Sequence, residues 1–167
     1  EHESIDPHFW LDPSVVLQTL PAIVEVLNAA GIPTDAARVA AFRDRLAQLD
    51  ATLQARLEPL RGRAVAQFHP SMSYFFHRYG IKDGGVVALS PGKDPSPQYL
   101  HELTQRLQRG QVLAVATEPQ LPEAPARVLA EAAGIPLIAL DPVGGAPDRD
   151  RYEALLEYNA DQLLSVA

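Results

Sequence analysis

The chain has no cysteine. Disulfides and thiolate metal sites are therefore excluded, which leaves histidine, aspartate and glutamate as the only strong metal ligands available. Basic residues are also short: 14 Lys and Arg stand against 21 Asp and Glu, for a formal net charge of -7 and a pI near 5.1. A nucleic-acid partner requires a basic face, so this balance argues against one. No apolar run approaches the ~20 residues that cross a bilayer as a helix. There is no GxGxxG, no HExxH and no nucleophile elbow, and the pairs Gly84-Gly85 and Gly144-Gly145 do not open helices with phosphate-loop spacing. No internal repeat or low-complexity tract is present. With 47% hydrophobic and 21% charged residues over 167 positions, the chain is globular and long enough for one domain burying roughly two thirds of its surface. It begins at Glu1 and not at Met, which leads to the expectation of a processed or trimmed product with any signal segment out of view.

What is present is a recurring unit, clearest in AVAQFHPSMSYFFHRYG from Ala64 to Gly80. A mostly apolar run without alternation, Ala64 to Phe68, stops at His69-Pro70, and a short aromatic helix pattern then ends at Gly80. This reads as a buried strand that delivers an imidazole at its carboxyl end and turns into a helix. Similar runs follow. Gly85 to Leu89 stops at Ser90-Pro91, Val112 to Thr117 at Glu118-Pro119, and Leu137 to Leu140 at Asp141-Pro142. Helices are expected between them at Met72 to Tyr79, Pro97 to Gln108, Glu123 to Ala133 and Arg149 to Ser165, with Gly110 and Gly134 as C-terminal caps. The alternation predicts an α/β fold: a parallel sheet of about four strands flanked by helices. Because ligands bind at the carboxyl edge of such sheets, His69, Glu118 and Asp141 are expected to face one region.

Upstream, Glu1 to Asp12 (EHESIDPHFWLD) places Phe9 and Trp10 between prolines, which predicts an ordered, packed segment. Asp12 and Pro13 have the N-cap and first-turn chemistry of a helix start. The helix they open carries a stripe at Val16, Leu20, Ile23, Val24 and Leu27, with Pro21 a possible kink and Gly31-Ile32-Pro33 the stop. Thr34 is expected to cap the next helix, which runs to Leu57. Its apolar positions, Val39, Phe42, Leu46, Leu49, Leu53 and Leu57, form one narrow stripe on a rod about 35 Å long. Such a rod either bridges two bodies or lies across the sheet as a surface helix.

Several side chains are candidates for chemistry. His8, in Asp6-Pro7-His8-Phe9-Trp10, is either a metal ligand on a proline-stiffened turn or an exposed loop histidine. His69 is poorly explained by packing, since an aliphatic residue there would avoid the cost of burying a polar ring. Asp141 is either a ligand or a turn carboxylate bonded to backbone NH groups. Glu118 is either a ligand or the acceptor that orients a ligand's other ring N–H. His77 is expected to face solvent, His101 starts a helix with no partner nearby in the pattern, and His2 sits among acidic residues near the chain end; none of the three is a candidate ligand. Two imidazoles and a carboxylate suit zinc and tolerate manganese or iron. Three protein ligands with an open position would also fit a zinc-dependent hydrolase.

DPHFWLDP (Asp6 to Pro13), FHPSMSYFFHRYG (Phe68 to Gly80), TEPQ (Thr117 to Gln120) and LDPVG (Leu140 to Gly144) occur together in this order. In this the chain resembles the metal-binding substrate-binding proteins of zinc/manganese ABC importers (cluster A-I type), the zinc-uptake branch in particular, a family that includes adhesin-type lipoproteins. The resemblance covers essentially the whole chain. It implies a non-enzymatic protein, periplasmic or membrane-anchored outside the cell, that carries one divalent ion, zinc with manganese possible, to a membrane permease. It implies metal ligands at His8, His69 and Asp141, with Glu118 near the site and not itself a ligand. Histidine at position 69, where the manganese branch often has glutamate, leans toward zinc. The family has two lobes, and on its pattern residues 1–33 would be the remnant of the amino-terminal lobe, 34–59 the long inter-lobe helix, and 60–167 the carboxyl-terminal α/β lobe. Glu1-His2-Glu3 is similar to the end of the family's acidic, His-rich loop. The expectation is a chain lacking most of one lobe and the further histidine it supplies.

Overall fold

A computed structural model describes residues 5–87, 95–110 and 112–167. Its centre is a sheet of four parallel strands, β1 (Ala64–Gln67), β2 (Lys82–Val86), β3 (Val112–Thr117) and β4 (Leu137–Ala139), in the order β2-β1-β3-β4. The chain leaves β1 toward one edge and returns through β3 toward the other. The carboxyl ends of β1 and β3 therefore flank the point where strand order reverses, the usual crevice of an open α/β sheet. His69 follows β1 and Glu118 follows β3 directly.

Six α-helices surround the sheet: α1 (Pro13–Ala29), α2 (Ala36–Leu57), α3 (Ser73–Tyr79), α4 (Pro97–Arg109), α5 (Ala124–Ala133) and α6 (Tyr152–Leu164) among the described residues. Two apolar clusters sandwich the strands. Val65 packs with Leu53, Leu57, Phe75 and Leu156 on one side, and Ala66 and Val115 pack with Leu103, Leu107 and Leu129 on the other. Adjacent strand residues thus serve opposite layers, as the pleat requires.

Two local expectations need correcting. The second strand begins at Lys82, upstream of Gly85, and its expected later residues Ala88 to Pro91 lie outside the described residues. It is an edge strand with exposed polar residues at Lys82 and Asp83, so an apolar run does not mark its start. Helix α2 is capped by Asp35, whose carboxylate accepts from the Arg38 N–H at 2.8 Å, and not by Thr34, which instead donates to Asn28 Oδ1. Both expected glycines are C-caps: Gly110 ends α4 in extended geometry (φ -84°) with its N–H on the Arg106 carbonyl, and Gly134 ends α5 in the left-handed conformation (φ 70°).

Helix α1 passes through Pro21 without ending, and only Pro13 and Val16 are buried along it. Helix α2 behaves likewise in reverse: Leu46, Leu49, Asp50, Leu53 and Leu57 are buried, while everything before them is half-buried or exposed. The distal half of α1 and the proximal half of α2 consequently pack mainly on each other, leaving Ile23, Val26 and Ile32 exposed.

Candidate metal centre

The Asp6-to-Asp12 segment is ordered because it is anchored at several points. Leu11 is fully buried in the core, the Trp10 indole N–H donates to the Pro142 carbonyl at 2.8 Å, and the Tyr152 hydroxyl donates to the Trp10 carbonyl at 2.6 Å. Asp12 caps α1 through the Ser14 N–H and also lies 3.8 Å from the Arg78 guanidinium. Arg78 in turn pairs with the buried Asp50 of α2. The second aspartate of DPHFWLDP is therefore structural, and it fixes where the histidine of the same motif stands.

His8 and His69, 61 positions apart in sequence, lie side by side with ring centroids 5.6 Å apart and planes at 75°. Trp10 covers His8 edge-on at 5.4 Å. Each imidazole has a carboxylate at Nδ1. Asp6 Oδ1 is 2.6 Å from His8 Nδ1, and Glu118 Oε1 is 3.4 Å from His69 Nδ1. Glu118 is itself fixed by the Ser71 hydroxyl, which donates to the same oxygen at 2.8 Å. The bond to Asp6 leaves Nε2 of His8 as the nitrogen free to coordinate, the arrangement typical of metal-binding histidine, and at His69 the Glu118 oxygen stands farther off, at 3.4 Å.

Asp141 lies in the loop after β4 and is only 1% exposed. Asn159 of α6 brackets its backbone, accepting from the Asp141 N–H at 2.7 Å and donating to the Asp141 carbonyl at 2.8 Å. The carboxylate accepts from the Val143 and Gly144 N–H groups, from the Gln120 side chain and from Arg149. Burial acts to raise its pKa, but these donors outweigh burial and hold it below the ordinary carboxylate value. Asp141 is thus ionised, and it satisfies turn geometry as well. Among the described residues, no three His, Asp or Glu side chains converge closely enough to hold an ion as they stand. The structure brings His8 beside His69 and His69 beside Glu118, while the Asp141 carboxylate contacts Gln120 and Arg149. His77 and His101 are exposed, and His2 is outside the described residues.

Sequence reasoning passed over Asp6, Ser71, Gln120, Arg149 and Asn159. Asp6 and Gln120 lie inside motifs already singled out, so proximity to His8 and Glu118 was a usable signal. Asn159 carries none, because its partner comes from a different element, and Arg149 carries none, because its partner stands eight residues upstream in an irregular loop.

The model of the periplasmic component A of zinc-uptake complexes matches residues 1–166. The chain belongs to this family. It is 27% identical over 169 residues to the high-affinity zinc uptake system protein ZnuA of Yersinia pestis, covering 98% of this chain and 53% of that protein. It is 31% identical over 162 residues to ZnuA of Paracoccus denitrificans, covering 90% of this chain and 48% of the relative. A crystal structure of ZnuA superposes with a TM-score of 0.80 at 26% identity, covering 96% of this chain and 62% of that one. The chain spans about half the length of these curated relatives. ZnuA-family proteins are uptake components and not enzymes, which sets aside the hydrolase suggested by an open three-ligand site.

Proposed function

We propose that the protein binds one divalent transition metal, zinc in preference to manganese, and delivers it to an ABC-type permease from the periplasm or the outer face of the membrane. The observation that carries this reading is the adjacency of His8 and His69, each with a carboxylate at Nδ1, in the crevice where strand order reverses. Neutral imidazoles present Nε2 to the ion, Trp10 limits access of water to His8, and Asp141, whose carboxylate is bonded to Gln120 and Arg149 in this structure, becomes the third ligand when the ion engages it. Borderline nitrogen donors favour zinc over manganese. No helix among the described residues is long and apolar enough to cross a membrane.

In this reading residues 1–33 belong to the amino-terminal lobe, α2 within 34–59 joins the lobes, and 60–167 form the carboxyl-terminal lobe. A continuous helix between lobes resists wide opening, so metal exchange involves small displacements. Calorimetric zinc titration of His69→Ala and Asp141→Ala in the full-length protein tests the assignment. Both are expected to bind zinc at least ~10-fold more weakly, and unchanged affinity in both removes it.

A further inference from the structure

The donors on Asp141 are unevenly shared between its oxygens. Oδ1 accepts three hydrogen bonds, from Gln120 Nε2 at 2.8 Å, Val143 N at 3.0 Å and Gly144 N at 2.9 Å. Oδ2 accepts one, from Arg149 Nε at 2.6 Å. A carboxylate oxygen has two lone-pair directions. Oδ1 is therefore saturated, so a cation reaches this carboxylate through the remaining direction of Oδ2, where it meets the positive charge of Arg149 already bonded to the same oxygen.

The surroundings of Arg149 suit a group that leaves and returns. Its Nη1 donates to both carboxylate oxygens of Asp148, at 2.9 and 3.0 Å, and its guanidinium lies 4.3 Å from the ring centroid of Tyr158. Neither interaction depends on Asp141, so an arginine released from Oδ2 keeps a carboxylate and an aromatic face. Asp141 itself cannot move with it, because Asn159 and the two loop N–H groups fix it in place. The loop between them also folds tightly: Gly144 is left-handed (φ +78°), and a Cβ there would lie 2.8 Å from the Arg149 carbonyl oxygen. A buried carboxylate without a cation is strongly unfavourable. Arg149 supplies that cation whenever a metal does not.

We propose that Arg149 is an internal cation that a divalent metal must displace from Asp141 Oδ2, so that it lowers the affinity of the site and rejects weakly binding ions. This rests on the metal-binding reading above. An arginine that merely pins the loop would act with the opposite sign. Its removal would loosen Asp141 and weaken metal binding, whereas removal of a competitor strengthens it.

The test is zinc titration against a chromophoric chelator, using the full-length protein, Arg149→Gln, Arg149→Lys and His69→Ala. The expected result is zinc binding about tenfold tighter in Arg149→Gln, from loss of one nearby positive charge. Arg149→Lys, which keeps the charge, should stay close to the parent. Equal or weaker binding in Arg149→Gln overturns the inference. Should that variant fail to fold, the Arg149 Nε–H resonance of the ¹⁵N-labelled parent decides instead. It should lose its hydrogen-bonded shift at saturating zinc, and an unchanged resonance overturns the proposal. Zinc affinity that His69→Ala leaves unmoved removes the metal-site reading itself. Affinity that falls in His69→Ala without rising in Arg149→Gln removes the role of Arg149 alone.

Discussion

Trp10 and Pro142 are joined by a 2.8 Å hydrogen bond across 132 positions of sequence. It ties the turn that carries His8 to the loop that carries Asp141, so the two stretches are held in register by one indole N–H. Trp10→Phe keeps an aromatic ring beside His8 and removes only the donor. The expected cost is about 1 kcal/mol of unfolding free energy, the net value of one such bond, measured by urea denaturation. Zinc affinity should fall along with it.

The carboxylates behind the two histidines are predicted to tune metal binding without touching the ion. Asp6→Asn and Glu118→Gln should each weaken zinc affinity by roughly tenfold or more while leaving the fold intact. Calorimetry checks the affinity and circular dichroism the fold. The larger effect is expected at Asp6, whose contact with His8 is 2.6 Å against 3.4 Å for Glu118 with His69.

Asp50 is the buried acceptor shared by Arg78 and the Tyr79 hydroxyl. Asp50→Ala would strand a guanidinium that is 28% exposed and a hydroxyl in the core. Because Arg78 retains partial access to water, the expected loss is about 2 kcal/mol, below that of a fully buried pair. Thermal and urea unfolding report it.

Alkaline stability follows from two tyrosines. Burial first, then the charge of Asp50, raises the Tyr79 pKa well above the ordinary phenol value; burial and the charges of Asp12 and Asp50 do the same for Tyr152. An unfolded chain releases these protons near pH 10, but the folded chain holds them. Their contribution is therefore complete below about pH 10 and is lost progressively above it. The melting temperature should decline steeply past pH 10, and the share of phenolate absorbance that belongs to these two of the five tyrosines should appear only together with unfolding.

Gly84 approaches β1 so closely that a Cβ would lie 3.0 Å from both the Ala66 nitrogen and the Val65 carbonyl carbon. The register between β1 and β2 shifts at this same place. Gly84→Ala should push the edge strand outward and cost about 2 kcal/mol, as overpacking against rigid backbone does. Hydrogen exchange should quicken at Val87 N, which donates to the Gln67 carbonyl.

The parts of this fold that were legible share one property: the signal is local. Apolar runs closed by a polar residue and proline gave β1, β3 and β4, because buried parallel strands need no alternation. The Asp12-Pro13 start of α1 was readable for the same reason. The edge strand was not, since Lys82, Asp83 and the two glycines answer to solvent and to the β1 backbone and not to an apolar core. The cap at Asp35 was missed because Thr34 offers the same chemistry one residue earlier, and only the Asn28 side chain decides between them. In the candidate site, His69 stood out as a costly ring at a strand end. Arg149 did not, because an arginine in a polar loop becomes informative only when the carboxylate beneath it is seen.

The uneven anchoring of α2 has a consequence for its energetics. Its carboxyl-terminal turns cannot open without exposing Leu46, Leu53 and Leu57, so their amide protection should approach that of the whole domain. Its amino-terminal turns give up little buried surface and can fray on their own. One unbroken helix therefore spans two regimes of local stability, divided near Phe42, and whatever rests on its first half is carried by a part that yields before the sheet does.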